Sequence, residues 1–467
     1  MPHEPATPEP SPLRPTAEFL VVLLVGILVF RSFAAEAYIV PTGSMAPTLL
    51  GLHREFTCDN CKKPYDLGMD ERGRSGRPVC PNCGESARAG DNGVERSGDR
   101  LLVHKHLFDL RPVRRWEVAV FQNPADPRQA YVKRVVGLPG EAILIRGGDV
   151  HADGRICRKS PEEQRAMRIP VFDNDFPPAD ADRYPRWLAW RPGRRAEGVG
   201  WGPDGTTYVH KITDAPVEAV DWLEYRHWQP DRARYGPVRD YTPYNGPDLP
   251  GDNRVHDLAL AATVTADRPA DLRLRLGGES DEFAVTLSAA GGVEVRRNDR
   301  PLAARGARSG PLPTTYRVEA SWFDRRLTVL VDDRPAFEPI DVDDEPLRPR
   351  PRRVAPAIGV DSSARIVLSH MKIYRDIYYT DALSGAPKRP FGVEEPYPLG
   401  AGEYFVLGDN SPVSNDSRFW ADSPVVRAEA LLGKPFLVHL PSRGVPLQVF
   451  GRELYWIPDP RQIRYIR

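Results

Sequence analysis

The sequence predicts a mainly β protein behind a single N-terminal helix. Three observations lead there. Short β-branched and aromatic runs broken by Gly, Pro and Asn recur from about residue 94 onward, one wholly apolar segment stands near the N-terminus, and two Cys-x-x-Cys pairs fall between them. Such runs at turn spacing favour antiparallel sheets, an all-round apolar run needs lipid or a deep core, and paired thiols imply a small metal or disulfide unit. The expected architecture is an N-terminal transmembrane helix, an antiparallel β core, an inserted cysteine module and a large inserted sandwich.

The 467 residues are 41% hydrophobic and 27% charged, with 64 Lys+Arg against 64 Asp+Glu, which is ordinary globular material for two or three domains. With no basic excess, nucleic acid is not expected as a partner. Many of the 49 prolines sit at the start and in connectors, and residues 1–16 read as a disordered Pro-rich tail. From Phe19 to Phe30 (FLVVLLVGILVF) no side chain is polar, and residues 17–37 read as a retained single-pass anchor near the roughly 17–25 residues a spanning helix needs. A cleaved signal peptide, suggested by Ala35-Glu36-Ala37, and a buried core helix are the alternatives. Charge does not orient the segment, because the tail is acidic and Arg31 lies on its other side.

CDNC at 58–61 and CPNC at 80–83 have the spacing of a zinc ribbon, whose two knuckles aim four thiolates at one tetrahedral ion. Residues 57–93 are therefore expected to form a zinc-ribbon-like insertion, with Cys58, Cys61, Cys80 and Cys83 as structural ligands. Two disulfides are the alternative in an oxidising compartment. Cys157 stands alone as an ordinary thiol. Residues 38–56 and 94–157 belong to the core, with strands in DRLLVHK, WEVAVFQ, YVKRVVG and EAILIRGGDVHADGR and a hairpin turn at Asp153-Gly154. Residues 158–255, rich in Trp, Tyr, Pro and Arg with little periodicity, read as an irregular connector. Alternation returns over 256–380, a two-sheet sandwich in which YRVEASWFDRRLTVLVDDR is similar to the strand, turn, strand pattern of laminin-G-like and concanavalin-like jelly rolls. Residues 396–440 return to the core, and 441–467 form a C-terminal segment.

Three places could carry chemistry. Ser44 in PTGSMAPTLL is either a nucleophile near a membrane or a turn residue between Pro41 and Pro47. Lys133 alternates with Tyr131 and Val135, and is either an exposed strand cation or a desolvated amine. The loop in YFVLGDNSPVSNDSRFW is rich in short polar side chains, as turns are, yet offers Ser414, Asp416 and Arg418 to a nearby amine. His104 and His106 alternate onto one face of a strand outside these blocks, so no Ser-His-Asp arrangement is legible; an exposed face or a zinc ligand is their reading.

Together, PTGSMAPTL, GDRLLVHK with YVKRVVGLPGE, and GDNSPVSNDSR resemble, in order, the sequence boxes of bacterial type I signal peptidases. The resemblance covers about 17–56, 94–155 and 396–440. It implies Ser44 as nucleophile, Lys133 as general base, Thr42 with the Ser44 N–H as oxyanion hole, Ser414 orienting the lysine, and Asp416 with Arg418 as a supporting ion pair. It further implies cleavage of secretory preproteins after small residues at the first and third positions before the cut, with no cofactor for catalysis. Signal peptides, the lipid bilayer and the secretion translocon are the implied partners. The implied location is the cell (inner) membrane, catalytic domain on the extracytoplasmic side. The chemistry requires that a lysine near pKa 10.4 fall by about three units, roughly 4 kcal/mol, which only burial supplies. The competing class is a membrane-tethered binding protein using the ribbon and sandwich on an inactive protease scaffold. The core must close across the insertion, so Arg155 and Gly400 are expected near one another.

Overall fold

Alternating aliphatics along residues 100–137 build the sheet that carries the rest. Val118 and Val120 face one side, Ala119 and Phe121 the other, and all four are buried, as the two-residue period of a strand requires. The computed structural model describes residues 13–33, 35–70, 72–179, 184–195, 199–213, 216, 219–229, 232–249, 251–343, 354–361, 363–381, 390–440, 444–449, 452–458 and 462–466. Among them the core sheet has eight antiparallel strands. In spatial order these are Ala35–Ile39, Arg100–His104, Leu431–Leu440, Val118–Asn123, Asp126–Gly137, Glu403–Leu407 and Val425–Arg427, with Arg464–Tyr465 paired to Leu431–Leu440. The fold is thus mainly β and antiparallel, as expected. The C-terminal segment is less separate than its position suggested, since Ile466 packs into the core and Arg464 bonds Asp99 at 2.8 Å.

A helix spans Leu13–Phe33, and its side chains from Phe19 to Val25 are 46–71% exposed. Among the described residues no helix is long and apolar enough to cross a membrane. The Pro-rich tail lies outside the described residues up to position 12, and residues 13–16 open the helix rather than extend the tail. Residues 35–37, expected in the anchor, instead belong to the strand Ala35–Ile39, paired in full with Arg100–His104.

The cysteine module hangs on a three-stranded sheet of Pro64–Gly68, His53–Thr57 and Val94–Arg96. Each Cys-x-x-Cys closes a tight turn: Lys62 N–H donates to Cys58 O and Gly84 N–H to Cys80 O, both at 2.9 Å. Lys62 and Gly84 both have positive φ, the left-handed setting that ends each knuckle.

The structure differs from expectation in residues 158–255, which supply strands rather than an irregular connector. Ile169–Asp173, Trp201–Asp204 and Thr207–His210 join a nine-stranded sheet, while Trp187–Arg191, Arg194–Arg195 and Val220–Tyr225 join an eight-stranded one. Strands between Leu258 and Arg375 complete both sheets, and one core of residues such as Leu223, Leu260, Phe283, Val329 and Ile373 lies between them. The alternation was hidden because an inward position of Val220–Tyr225 is the charged Asp221. Its carboxylate is held by Arg191 at 2.6 and 2.8 Å and by His210 at 2.9 Å, so its burial is compensated. The insertion leaves and rejoins the core on one small sheet ordered Arg155–Ile156, Asp149–Ala152, Ala142–Arg146 and Tyr397–Pro398, which brings its ends together.

Candidate active site

Ser44 lies in a single 3-10 turn, Gly43–Met45, nailed down by Met45 and Leu49, both fully buried against Val118 and Val120. The opening N–H groups of such a turn have no partner inside it, which leaves the Ser44 N–H as a donor. Lys133 stands in the strand Asp126–Gly137 opposite Ala119, only 4% exposed, its Nζ 5.8 Å from the centre of the Tyr131 ring. The amine reaches across 89 residues of sequence to donate to Ser44 Oγ at 2.6 Å. Burial lowers its pKa to about 8; the Arg418 charge adds to the fall, and the Asp416 and Asp409 carboxylates oppose it. Thr42 Oγ1 is 3.5 Å from Ser44 Oγ, which puts its hydroxyl beside the nucleophile.

The polar loop behaves as a frame. Asp416 and Arg418 are fully buried and paired through two bonds of 2.9 and 2.8 Å. Asp416 also accepts the Gly408 N–H at 3.0 Å, and Arg418 donates to Ser411 Oγ at 2.8 Å and to the Thr380 carbonyl at 2.5 Å. The expected bond from Ser414 to the lysine is absent: Ser414 Oγ is buried and makes no hydrogen bond. It packs instead against Gly408, where an added Cβ would come within 2.2 Å of Ser414 Oγ and 2.4 Å of Ser44 O.

Four further residues escaped the sequence reading. Arg134 clasps Asp409 through bonds of 2.7 and 2.6 Å at 1% and 0% exposure, and Thr48 Oγ1 donates to the same carboxylate at 2.5 Å. Asn410 donates from its backbone to Ser44 O at 3.0 Å and from Nδ2 to Gly43 O at 2.9 Å. Asp409 and Asn410 stand inside the quoted GDNS block and Arg134 follows Lys133, so adjacency was the available signal. The histidines stay apart: the strand ends at His104, and His106 bonds Asp109 at 3.0 Å at the start of the short helix Leu107–Leu110.

Ser44 and Lys133 open into a groove of about 850 Å³ whose walls include Tyr38, Ile39, Tyr131, Met69 and Tyr244. The four module cysteines are free thiols whose sulfurs lie within 4.8 Å of one another, with Cys58 to Cys83 at 3.5 Å and Cys61 to Cys80 at 3.6 Å. Sulfurs about 2.3 Å from a tetrahedral zinc sit about 3.8 Å apart, so the donor set fits that ion.

A serine hydroxyl held on a buried lysine amine, in an antiparallel β scaffold, is the arrangement of the serine hydrolases that use lysine in place of histidine. The comparisons point to a serine peptidase. Residues 92–186 and 374–440 match the family described as signal peptidase, peptidase S26, and the chain is similar to type I signal peptidases. The match includes Lys133, Ser414, Asp416 and Arg418 and skips 187–373, most of the sandwich. Signal peptidase I of Leptolyngbya laminosa is 29% identical over 36% of this chain and 63% of its own length. Signal peptidase I of Pseudomonas fluorescens is 32% identical over 27% and 32%, and that of Bacillus caldolyticus 39% over 13% and 31%. The chain thus spans less than two thirds of these relatives. Among solved structures, a carbohydrate-binding module from Bacillus subtilis aligns with 38% of this chain and 96% of that one at 11% identity and a TM-score of 0.23, too low to bear on fold or ligand.

Proposed function

We propose that the protein is a membrane-bound serine endopeptidase that removes signal peptides from secretory preproteins, with Ser44 as nucleophile and Lys133 as general base. The observation that carries this reading is the 2.6 Å contact between Lys133 Nζ and Ser44 Oγ, made by an amine whose pKa burial brings to about 8. Ser44 Oγ attacks the scissile carbonyl carbon as Lys133 takes its proton. The oxyanion is met by the Ser44 N–H and the Thr42 hydroxyl. Collapse of the intermediate breaks the C–N bond, Lys133 returns the proton to the leaving amine, and an acyl-enzyme on Ser44 remains. Water, deprotonated by Lys133, then releases the signal peptide.

Substrate orientation follows from free strand edges. Ala35–Ile39 is the last strand of the core sheet, and residues 126–133 pair along one side only among the described residues. An extended peptide between them would gain main-chain hydrogen bonds on both sides. The N-terminal helix leads directly into Ala35–Ile39, and Ile39 and Val413, both exposed, line the groove. These features favour an active site at the bilayer surface, where an embedded signal peptide presents its cleavage site, with Leu13–Phe33 as the anchor; a catalytic domain outside the cytoplasm rests on the resemblance to signal peptidases alone. The cut after small residues, the translocon as a neighbour and a zinc ion on Cys58, Cys61, Cys80 and Cys83 belong to the same reading. The cysteine unit then acts as a zinc ribbon, and the insertion as a jelly-roll-like sandwich between core halves.

The test follows processing of a secreted preprotein by purified full-length protein. Ser44→Ala and Lys133→Met are each expected to lower the rate by about 10³-fold or more, as loss of either partner of such a pair does. Normal cleavage by both variants would sink the reading.

A further inference from the structure

The insertion reaches the nucleophile. Its short turn Pro243–Asn245 packs against Gly43 where two glycines leave room for the Tyr244 ring: a Cβ at Gly43 would lie 2.1 Å from Tyr244 Cε1, and one at Gly68 2.3 Å from the same atom. We propose that Tyr244 and Asn245, supplied by the insertion, are positioning residues that hold the Gly43-Ser44 turn in its reactive setting. This rests on Ser44 being the nucleophile.

The hydrogen bonds form a short chain. Asn245 and Asn410 exchange two amide bonds, each 2.8 Å. The second proton of Asn410 Nδ2 goes to Gly43 O at 2.9 Å, and the Asn410 backbone N–H goes to Ser44 O at 3.0 Å. Asn410 is fully buried, so its amide orientation matters. With Asn245 present, Nδ2 faces Gly43 O; turned over, its oxygen would face that carbonyl, and the two acceptors would repel. Gly43 O thus sets which way Asn410 points, the two bonds to Asn245 hold that amide in place, and Asn410 holds both carbonyls that flank the nucleophile.

Tyr244 adds a second brace, donating from its hydroxyl to Leu52 O at 2.9 Å while its ring rests against Gly43 and Gly68. The turn is held from behind by Arg375, 2% exposed, which donates to Asp240 O at 3.1 Å and Tyr241 O at 3.0 Å. The same insertion grips the cysteine module, with Lys63 on Asp173 at 3.0 Å and Asn82 Nδ2 on Phe176 O at 2.8 Å. Tyr244, Asn245 and Leu249 line the groove beside Met69 and Asp70 of the module, so a peptide bound there meets both insertions. The sandwich is part of the active site rather than an appendage.

The experiment measures kcat and KM of the full-length protein on a preprotein, per active site counted by acyl-enzyme burst, for Asn245→Ala, Asn245→Asp and Tyr244→Ala. Asn245→Ala and Tyr244→Ala are expected to lose at least about tenfold in kcat with KM changed less than about threefold, since misplacing a reacting group by a fraction of an ångström is felt in the chemical step. Asn245→Asp keeps the acceptor for Asn410 Nδ2 and is expected to fall between Asn245→Ala and the unaltered protein. If Asn245→Ala does not fold, Asn245→Asp and Tyr244→Ala decide. Unaltered kcat per active site, or a loss confined to KM, overturns the proposal. Ser44→Ala in the same assay separates the two readings: cleavage by Ser44→Ala removes the nucleophile assignment, whereas a dead Ser44→Ala beside fully active Asn245 and Tyr244 variants removes only the present proposal.

Discussion

Burying Lys133 opposes folding, and the proposed chemistry uses that strain. The amine falls from an ordinary 10.5 to about 8. Below pH 8 both folded and unfolded chains hold the proton, and the folded state bears the full cost of a buried charge. Between about 8 and 10.5 only the unfolded chain is protonated, so stability rises with pH across that window and levels above it. The difference is about 3 kcal/mol at 1.36 per unit. Lys133→Met should therefore be more stable than the unaltered protein at pH 7 and no more stable near pH 11, as denaturant titrations at the two pH values will read. Cleavage by the unaltered protein should climb with pH through about 8, since only the free amine accepts the serine proton. A flat profile from pH 6 to 9 would deny Lys133 that role. Ser44 and Lys133 were legible from the sequence blocks that carry them. The silent Ser414 hydroxyl was not, because hydrogen-bond partners depend on rotamers and neighbours that spacing does not encode.

Among the elements, the cysteine module is the clearest case of spacing that foretells geometry. Two knuckles with left-handed residues after each second cysteine converge four free thiols on one point. One zinc per chain is expected by mass spectrometry, with four thiols titrating after denaturation in chelator beyond Cys157. Removing the metal should lower the melting temperature and weaken cleavage, because the module's sheet carries Met69 and Gly68 to the groove. Absence of metal together with oxidised cysteines would favour disulfides instead. The strands of 158–255 were hidden for the opposite reason. Asp221 occupies an inward position that only a distant Arg191 and His210 make tolerable, and a periodicity count scores such a position as polar.

At the scale of the molecule, the insertion is stitched to the core where it enters and leaves. Lys159, at its start, is 3% exposed in its side chain and bonds Asp324 at 2.6 Å and Asp376 at 2.7 Å, with the Trp116 ring of the core 4.7 Å away. Its charge is held on well above the usual lysine range: burial opposes it, and the two carboxylates more than offset burial. Lys159→Ala would strand both carboxylates in a dry site. A loss of about 3–5 kcal/mol is expected from the denaturation midpoint at pH 7, the cost of removing one partner from a buried ion pair. A loss under about 1 kcal/mol would mean that water reaches the junction.

The sequence by itself determined the β class, the order of the blocks, the pairing of the four cysteines that cluster and the two groups that meet at the groove, because each is written in local spacing or in the family's boxes. Only the tertiary structure decided that Ser44 and Lys133 stand 2.6 Å apart, that Arg134 and Asp409 pair beneath them, and that Tyr244 and Asn245 come from far along the chain to brace the turn. The reason is physical. Local spacing sets which way a side chain faces along its own strand, whereas contacts across scores or hundreds of residues are fixed by how sheets pack, and the glycines that admit Tyr244 look like any other loop glycines until the ring is seen against them.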